Sequence, residues 1–453
     1  MSAPSTAPAA ERLAVLAAQL NPSRDATAAP GAGLARQATA AAAPGFNKAF
    51  PQATTAGSFA PEACDALNLQ SMMSPDEQAI RKRVREYMVK EVAPVIADFW
   101  DRAEFPFQLV PGFAKLRLAG GGLQGNGCSG LSLMESAMAV VEIARVDCSM
   151  STFLLVHSYL AMLTIGLLGS EQQKAELLPP MARLEWAGCW ALTEPAYGSD
   201  AAAIQTTATK VPGGWMIDGN KRWIGNGTWS EVTVVWARNS ETRQVNAFIV
   251  RKGTPGFKAE KIENKIALRC VQNADMTFER CFVPETARLA GVESFKDTNK
   301  VLAISRIMVA WQPVGACMGV YDMTARYIQE RQQFGAPLAA FQLVQERMAR
   351  MLGTVQAMFL MAHRLTRLYE EGKVTHEQAS LVKAWNTQRA REVCALGREV
   401  LGGNGIVTDY GVAKAFCDVE AFYSYEGTYD VNALVAGRGI TGVSAFKTTY
   451  GKK

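Results

Sequence analysis

The sequence has little histidine and no cysteine spacing of the kind that binds metal. Only three histidines occur among 453 residues, so a histidine-based metal site or a Ser-His-Asp triad has little support. The nine cysteines are scattered, odd in number and without a CxxC spacing. They predict buried thiols in a reducing intracellular compartment rather than a disulfide framework, and no metal site is expected.

Two further absences exclude classes of partner. The net charge of +5 is spread without basic blocks or interleaved aromatics, so no nucleic-acid-binding surface is expected. No apolar run approaches the roughly 18 residues that cross a bilayer, so no membrane span is expected either. About half of the residues are hydrophobic (49%), which predicts a large globular core, and the length predicts two to four domains.

The first forty-odd residues are rich in Ala, Ser and Pro and poor in acids, as targeting segments and linkers are. Five residues separate Arg12-Leu13 from Gln19-Leu20, and Leu13, Leu16 and Leu20 share one helix face. This pattern resembles the N-terminal peroxisomal targeting signal, with Gln in place of its usual His. Arg12–Leu20 is therefore expected to bind an import receptor and direct the chain to the peroxisome. A mitochondrial or plastid transit peptide has the same composition and stays open as an alternative.

Hydrophobic periodicity divides the rest of the chain into helices, strands and helices again. We expect an N-terminal α-helical domain at 69–185, a middle β-domain at 186–297 and a C-terminal four-helix domain at 298–446. Residues 1–68 form a leader and linker, and 447–453 a tail. Segregated elements predict an α+β fold rather than a doubly wound sheet. The strands expected are Thr206–Val211, Trp215–Asp218, Val232–Ala237, Asn246–Val250 and Asp275–Phe282.

The stretch Tyr425–Asp430 places a carboxylate, Glu426, between an aromatic residue and a glycine, just after a helical run. The glycine lets the backbone approach a ligand closely, since it has no Cβ. A carboxylate in an apolar pocket has a raised pKa, which suits proton abstraction from carbon. The alternative interpretation is a solvated Glu at a helix end.

Two motifs flank the boundary between helices and strands. Cys189–Asp200 contains Pro and Gly breaks that leave backbone N–H groups free, and the hydroxyls of Thr193 and Ser199 stand beside them. Such groups can bond the polar edge of a flat heterocycle. Arg222–Asn226 carries Trp223, which can lie against an isoalloxazine ring, although core packing is its ordinary role.

Two more motifs lie in the helical C-terminal half. Glu330–Gly335 is followed by Phe341-Gln342, and the guanidinium of Arg331 could hold a pyrophosphate with two parallel hydrogen bonds. An ordinary Arg–Glu ion pair on the surface of a helix would give the same sequence pattern. Leu401–Ile406 contains a Gly-Gly pair that permits close contact with a phosphate or ribose, or ends a helix.

Together, in this order, the motifs resemble those of the acyl-CoA dehydrogenase/oxidase superfamily, over about Leu69 to Phe446. Within it the chain is most similar to plant-type peroxisomal short-chain acyl-CoA oxidases, a branch near glutaryl-CoA dehydrogenase. The resemblance implies FAD as cofactor, a homodimer or homotetramer, and desaturation of acyl-CoA between Cα and Cβ.

By this resemblance, Glu426 is the catalytic base. Arg331, Phe334 and Gln342, with the stretch Glu399 to Gly403, should meet the FAD of a neighbouring subunit. The residues expected to bind FAD are Trp190, Leu192, Thr193, Ser199, Trp223, Ile224, Gly225, Arg331, Phe334, Gln342, Glu399, Gly402, Gly403, Thr428 and Asp430. The residues expected to contact acyl-CoA are Ser199, Arg306 and Gly427.

Three positions depart from the family pattern. Glu399 stands where many members have Gln, and Gly225 where many have Ser or Thr, so these two contacts are uncertain. Ser151 stands where glutaryl-CoA dehydrogenase has an arginine for the distal carboxylate, which argues against a dicarboxyl substrate.

The expected function is an acyl-CoA oxidase that converts acyl-CoA and O2 to trans-2-enoyl-CoA and H2O2 in peroxisomal β-oxidation. The alternative is an acyl-CoA dehydrogenase that passes electrons to an electron-transfer flavoprotein, because the flavin motifs are shared. A third interpretation, an inactive acyl-CoA-binding or assembly subunit, conflicts with the retention of Glu426 and of all four flavin motifs.

Overall fold

The computed structural model describes residues 64–443. The Arg12–Leu20 motif and the tail lie outside these residues. Three N-terminal helices begin at capping boxes, in which Ser74, Ser132 and Ser170 each accept a hydrogen bond from the N–H three residues on. The N-terminal helices are α1 (Pro75–Tyr87), α2 (Ile96–Arg102), α3 (Val110–Leu116), α4 (Leu133–Val146), α5 (Cys148–Leu155), α6 (Leu163–Leu168) and α7 (Glu171–Ala182).

Helices α5 and α6 form one continuous run, joined by a π-helical segment at Val156–Met162. A second π-helical segment, Met88–Val92, follows α1. Residues around Pro94 then separate this helical run from α2, because proline cannot continue a helix.

The middle of the chain is a seven-stranded sheet in the order β1-β4-β2-β3-β7-β6, with β5 paired to β4. Strands β1 and β2 pair with β4 in parallel, and the other pairings are antiparallel. The strands are β1 (Gly188–Ala191), β2 (Thr207–Val211), β3 (Gly214–Ile224), β4 (Val232–Asn239), β5 (Val245–Arg251), β6 (Phe257–Lys261) and β7 (Ala274–Pro284). The five predicted strands are present, and β1 and β6 are additional.

Long helices return after the sheet, which confirms the predicted α+β order. A short hairpin of β8 (Gln332–Gln333) and β9 (Ala336–Pro337) separates the first two helices. The C-terminal helices are α8 (Thr298–Glu330), α9 (Gln342–Glu370), α10 (His376–Val400), α11 (Val412–Ser424) and α12 (Tyr429–Thr441).

A buried ion cluster fixes α11 to the rest of the fold. The Lys414 ammonium lies 2.5 Å from Asp147, the N-cap of α5, and 3.5 Å from Asp418. Asp418 also accepts hydrogen bonds from the indole of Trp100 and the N–H of Leu268. The N-terminal helices, the segment before β7 and α11 therefore meet at one point. Since α11 leads directly to Tyr425, the cluster also positions the stretch that carries Glu426.

The expectation that no apolar run reaches spanning length is wrong. Two helical segments, Cys148–Leu168 and Phe295–Glu330, are long and apolar enough to cross a membrane. However, 89% and 83% of the most apolar 18-residue stretch in each are buried inside the protein. Such burial fits core helices. Of the nine cysteines, Cys128 and Cys417 are half-buried and the other seven are buried, as predicted.

Candidate active site

Glu426 lies in a tight turn between α11 and α12, and its backbone is left-handed, with φ of +54°. Gly427 continues the turn at φ +80°, a conformation that glycine adopts without strain. Thr428 then caps α12 by accepting a hydrogen bond from the N–H of Val431 at 3.2 Å. A non-glycine residue at positive φ persists only where its surroundings hold it, and such residues concentrate at functional sites.

Two buried side chains hold this turn by its carbonyl oxygens. Lys383 of α10 donates a hydrogen bond from Nζ to the carbonyl of Gly427 at 2.7 Å. Asn432 donates from Nδ2 to the same carbonyl at 2.8 Å and to that of Thr428 at 3.0 Å. Both side chains come from helices, so the turn is fixed to rigid elements.

The carboxylate of Glu426 is desolvated. Its Oε1 atom is buried and has no hydrogen-bond partner among the residues that the structure describes. Burial raises the pKa of Glu426 above its ordinary value, and the positive charges of Arg306 and Lys383 oppose the rise only in part. A carboxylate with a raised pKa is a stronger base than one in water, which is the property that removal of a proton from carbon requires.

Arg306, from α8, is buried beside this turn. Its Nη1 atom lies 2.6 Å from Nε2 of His376, at the start of α10. Burial lowers the pKa of His376, and the charge of Arg306 lowers it further. Burial likewise lowers the pKa of Lys383 to about 7. The cations around Glu426 are thus themselves desolvated.

A chain of uncharged polar groups lies on the other side of the turn. The hydroxyl of Tyr425 donates to Oε1 of Gln312 at 2.5 Å, and it lies 3.3 Å from the hydroxyl of Thr152. Gln312 donates in turn to the hydroxyl of Ser151 at 3.1 Å. Ser151 and Gln312 are fully buried, so the network is an interior feature.

A second buried ion pair shapes the loop after β1. Lys221 lies 2.9 Å from Glu194 and donates to the carbonyl of Leu192 at 3.0 Å. The Glu194 carboxylate also accepts hydrogen bonds from the N–H groups of Gln205 and Thr206. These bonds hold the loop against β3, and Ser199 remains exposed on its outer side.

Trp223, near the end of β3, has a left-handed backbone with φ of +67°, and its side chain is 52% exposed. The guanidinium of Arg222 lies over its ring at 4.8 Å. The N–H of Arg222 donates to the carbonyl of Thr193, so the indole stands beside the loop after β1. The next residue, Ile224, is buried.

Gly225 is packed against the π-helical segment. A Cβ atom built on Gly225 would lie 3.1 Å from Cγ2 of Val156, closer than such contacts normally are. The serine or threonine that many family members carry here would need Val156 to move. The absence of a side chain at Gly225 is therefore matched by the close approach of Val156 in the same chain.

Helix α5 contacts both the turn that carries Glu426 and the turn that carries Trp223. On α5, Thr152 lies beside Tyr425, and the carbonyl of the next residue, Phe153, accepts a hydrogen bond from Asn226 at 3.1 Å. Since these contacts come from adjacent residues, the turn carrying Glu426 and the turn carrying Trp223 face the same stretch of helix.

Other predicted residues have structural partners. The indole of Trp190 donates to the hydroxyl of Thr164 and packs against Trp236, so it belongs to the interior. Leu192 is buried. Thr428 is engaged as the cap of α12, and Asp430 is exposed in the first turn of that helix.

The remaining predicted residues lie on the surface, and one chain does not bring them to Glu426. Phe334 is 96% exposed, in a two-residue turn where both φ values are positive. Arg331 and Gln342 are exposed near it, and Glu399 lies 3.3 Å from Arg347. Gly402 and Gly403 form an exposed 3₁₀ turn, as the helix-end interpretation predicts.

Sequence reasoning missed several residues that shape the site, namely Lys383, Gln312, Asn432, Lys221 and Thr152. They belong to no motif, but some leave a trace. Lys383 shares a helix face with Ala379, Asn386 and Ala390, all of them buried. A charged residue at core spacing is uncommon, and this was the available signal.

Comparisons with known proteins bear directly on this arrangement. Profiles of the acyl-CoA dehydrogenase N-terminal, middle and C-terminal domains match residues 74–185, 189–281 and 295–441. An acyl-CoA dehydrogenase of Bacillus subtilis is 30% identical over 376 residues, which cover 82% of this chain and 99% of that protein. The chain belongs to the acyl-CoA dehydrogenase family.

Other members of the family are similar to this chain over most of its length. The mitochondrial short-chain specific acyl-CoA dehydrogenase of Rattus norvegicus is 30% identical over 81% of this chain and 90% of its own length. A glutaryl-CoA dehydrogenase structure from Mycobacterium smegmatis has a TM-score of 0.83 at 34% identity and covers 85% of this chain and 100% of its own. A second structure from that organism, in complex with FADH2, has the same TM-score and coverages at 31% identity.

Membership of this family confirms the predicted cofactor, FAD. The residues present fit it. The half-exposed indole of Trp223 beside the loop after β1 offers a face for a flat ring, and the turn that carries the orphaned Oε1 atom of Glu426 contacts the same stretch of α5.

Proposed function

We propose that this chain is an FAD-dependent acyl-CoA dehydrogenase that desaturates acyl-CoA between Cα and Cβ and passes the electrons to an electron-transfer flavoprotein. The observation that carries the proposal is the desolvated carboxylate of Glu426, joined through α5 to the turn of Trp223. The relatives reported above are named dehydrogenases, which favours this function over the oxidase that the sequence resemblance predicts.

In this mechanism Glu426 accepts the proton from Cα. FAD, when bound, would supply the acceptor for the hydride from Cβ, and the products would be trans-2-enoyl-CoA and reduced flavin. Trp223 and the loop around Thr193 would hold the flavin ring. Arg306 and Gly427, beside the base, contact the thioester substrate. Burial of the base strengthens its electrostatic interactions with substrate, since water does not screen them.

The proposed substrates are short-chain monocarboxyl acyl-CoA thioesters. Ser151, at the position of the carboxylate-binding arginine, is uncharged and bonded to Gln312. A second carboxylate placed there would lack a cationic partner, which costs several kcal/mol. Release of CO2 from glutaryl-CoA at a rate rivalling the turnover of butyryl- or hexanoyl-CoA would contradict this assignment.

The exposed set around Arg331 also supports an assembly. We infer that a second copy of the chain brings Arg331, Phe334 and Gln342 to the FAD, in a homodimer or homotetramer. The large exposure of Phe334 in a left-handed turn motivates this inference, because its edge contact with Phe341 leaves most of the ring for another chain to cover.

The test is anaerobic mixing of the FAD-loaded protein with acyl-CoA of several lengths, with bleaching of flavin absorbance as the readout. Electron-transfer flavoprotein is then supplied in one portion and O2 in another. Rapid reoxidation by the flavoprotein and slow reoxidation by O2 with product bound are expected. Absence of bleaching by every acyl-CoA would overturn the proposal.

An acyl-CoA oxidase in the peroxisome is the second candidate, and the Arg12–Leu20 pattern favours it. An enzyme imported there needs O2 as acceptor if the flavoprotein is absent from that compartment. Fast O2 reoxidation with peroxide formation, together with peroxisomal import of residues 1–45 fused to a fluorescent reporter, would decide for the oxidase. Delivery to the mitochondrion or plastid would decide against this location.

A further inference from the structure

Lys383 is a buried lysine whose placement the reaction described above does not explain. Its side chain is fully buried in α10. Lysine is seldom buried without a carboxylate bonded to it, because an ammonium loses much hydration free energy in the interior. The hydrogen bond that Lys383 makes goes instead to a neutral group, the carbonyl of Gly427. A position that served only packing would be filled more easily by an apolar side chain.

The bonded carbonyl belongs to the turn that carries the base. Glu426 has a left-handed backbone, which requires support from its surroundings. Lys383 approaches from α10, whereas Asn432, the other donor to this carbonyl, belongs to the helix that follows the turn. Lys383 is thus the donor that ties the turn to a separate element of the fold.

The charged and titratable groups around Glu426 come from three directions. Arg306 faces it from α8 and Lys383 from α10, and the phenol of Tyr425 belongs to its own turn. Beyond Arg306 lies His376, whose neighbour Glu377 pairs with Arg438 at 3.1 Å. Of the two cations, Arg306 directs Nη1 at His376, whereas the ammonium of Lys383 is bonded within the turn of the base.

We propose that Lys383 is the positioning residue of Glu426: it ties the turn to α10 and keeps the carboxylate ionised by its positive charge. Lys383 acts through Glu426 and is not itself a catalytic residue. This inference rests on the proposed function of Glu426 as the base.

An electrostatic role and a packing role of Lys383 have different consequences for the pH dependence of the reaction. The charge of Lys383 lowers the pKa of Glu426, against the rise that burial causes. Removing that charge therefore raises the pKa further, and the base becomes ionised only at higher pH. Burial lowers the pKa of Lys383 to about 7, so its charge acts in the acidic part of the profile. The rate of flavin bleaching should therefore fall in that part when the charge is removed, and recover as the pH rises. A lysine that only supported packing would lower the rate equally at every pH when replaced.

The experiment compares Lys383→Met with the wild type as full-length, FAD-loaded protein. Flavin bleaching by butyryl-CoA is followed anaerobically from about pH 6 to about pH 9, with FAD content and thermal unfolding measured in parallel. The midpoint of the rate profile should move up by about one pH unit, with about tenfold slower bleaching on the acidic side of both midpoints. Lys373→Met is the matched control, because Lys373 is exposed ahead of α10, and it should retain the wild-type profile.

Two further variants separate the effect of the positive charge of Lys383 from the effect of its shape and hydrogen bond. Lys383→Arg retains the charge and should keep the midpoint near that of the wild type. Lys383→Gln retains a donor without the charge and should share the shift of Lys383→Met, and it takes that variant's place if Met impairs folding. An unchanged midpoint, a uniform loss at all pH values, or loss of folding in both neutral variants would overturn the proposal. Failure of the wild type to bleach would instead overturn the proposed function.

Discussion

The turn that carries Glu426 and the surface that carries Arg331 differ in how much of their surroundings one chain supplies. Helices α10 and α12 hold the first from two sides, through Lys383 and Asn432. The second leaves Phe334 almost wholly in solvent, although its backbone is equally unusual. The comparison teaches that two motifs of similar strength in sequence can form very different surroundings: a turn that one chain holds from two sides, and a surface that one chain leaves exposed.

Replacement of the base tests the turn that one chain holds and should have the largest effect. We expect Glu426→Gln to keep its FAD but to slow flavin bleaching by acyl-CoA by roughly 10²–10⁴-fold, since general-base catalysis is lost. Stopped-flow absorbance measures the rate. Glu420→Gln is the control, because Glu420 forms an ion pair with Arg391 near the end of the same α11 helix. Rapid bleaching by Glu426→Gln would move the base elsewhere.

The ion cluster behind the base turn should control stability rather than chemistry. We expect Lys414→Met to lower the free energy of unfolding by about 3–5 kcal/mol, because Asp147 and Asp418 would remain buried without their cation. Urea unfolding followed by circular dichroism measures the change, and Lys373→Met serves again as the exposed control. A loss below about 1 kcal/mol would mean that the carboxylates are neutral or hydrated.

A substitution at Arg331 tests whether the exposed surface binds the FAD of a second chain. Arg331→Ala should be purified with less than one FAD per chain and regain colour in excess FAD, with affinity weaker by about 10–100-fold, as expected for a lost charged hydrogen bond. Arg364→Ala is the control, since Arg364 is exposed and paired with Glu371. Full occupancy of Arg331→Ala after dialysis would favour an ordinary surface arginine.

Glu399 should give the smallest effect. Its pair with Arg347, at 3.3 Å, is largely exposed, and such pairs contribute about 0–1 kcal/mol. We expect Glu399→Gln to change the free energy of unfolding by less than 1 kcal/mol and to leave FAD affinity unchanged or tighter. Equilibrium titration with FAD measures this. A clear loss of affinity would assign the carboxylate itself to the cofactor.

The fold could be predicted, and Glu426 could be singled out as the candidate base, because both depend on local patterns. Capping residues such as Ser74 mark helix starts, and Tyr425–Asp430 is contiguous in the chain. Strand β6 was missed because its residues alternate with charges, and β1 because it spans only Gly188–Ala191 inside a motif. Short strands are recognised through their partners, and β1 pairs with β4, more than forty residues away in sequence.

The site's supporting residues were out of reach for a similar reason. Gln312 lies on α8 and Ser151 on α5, so their hydrogen bond joins parts of the chain 161 residues apart. No spacing rule connects them. Lys383 illustrates the intermediate case, where an unusual residue on a buried helix face signals a role but not its partner. The Arg12–Leu20 motif lies outside the described residues, so the peroxisomal address stays a prediction, and the electron acceptor stays one as well.

The π-helical segment at Val156–Met162 sets the phase of the helix that faces both turns of the site. Such a segment holds more residues per turn than an α-helix. Winding the same seven residues as a regular α-helix would rotate α5 against α6 by about 100°. Thr152 would then leave Tyr425, and Phe153 would leave Asn226, in a single step. A point substitution removes one of these contacts, whereas a change of phase uncouples the base from the cofactor side altogether.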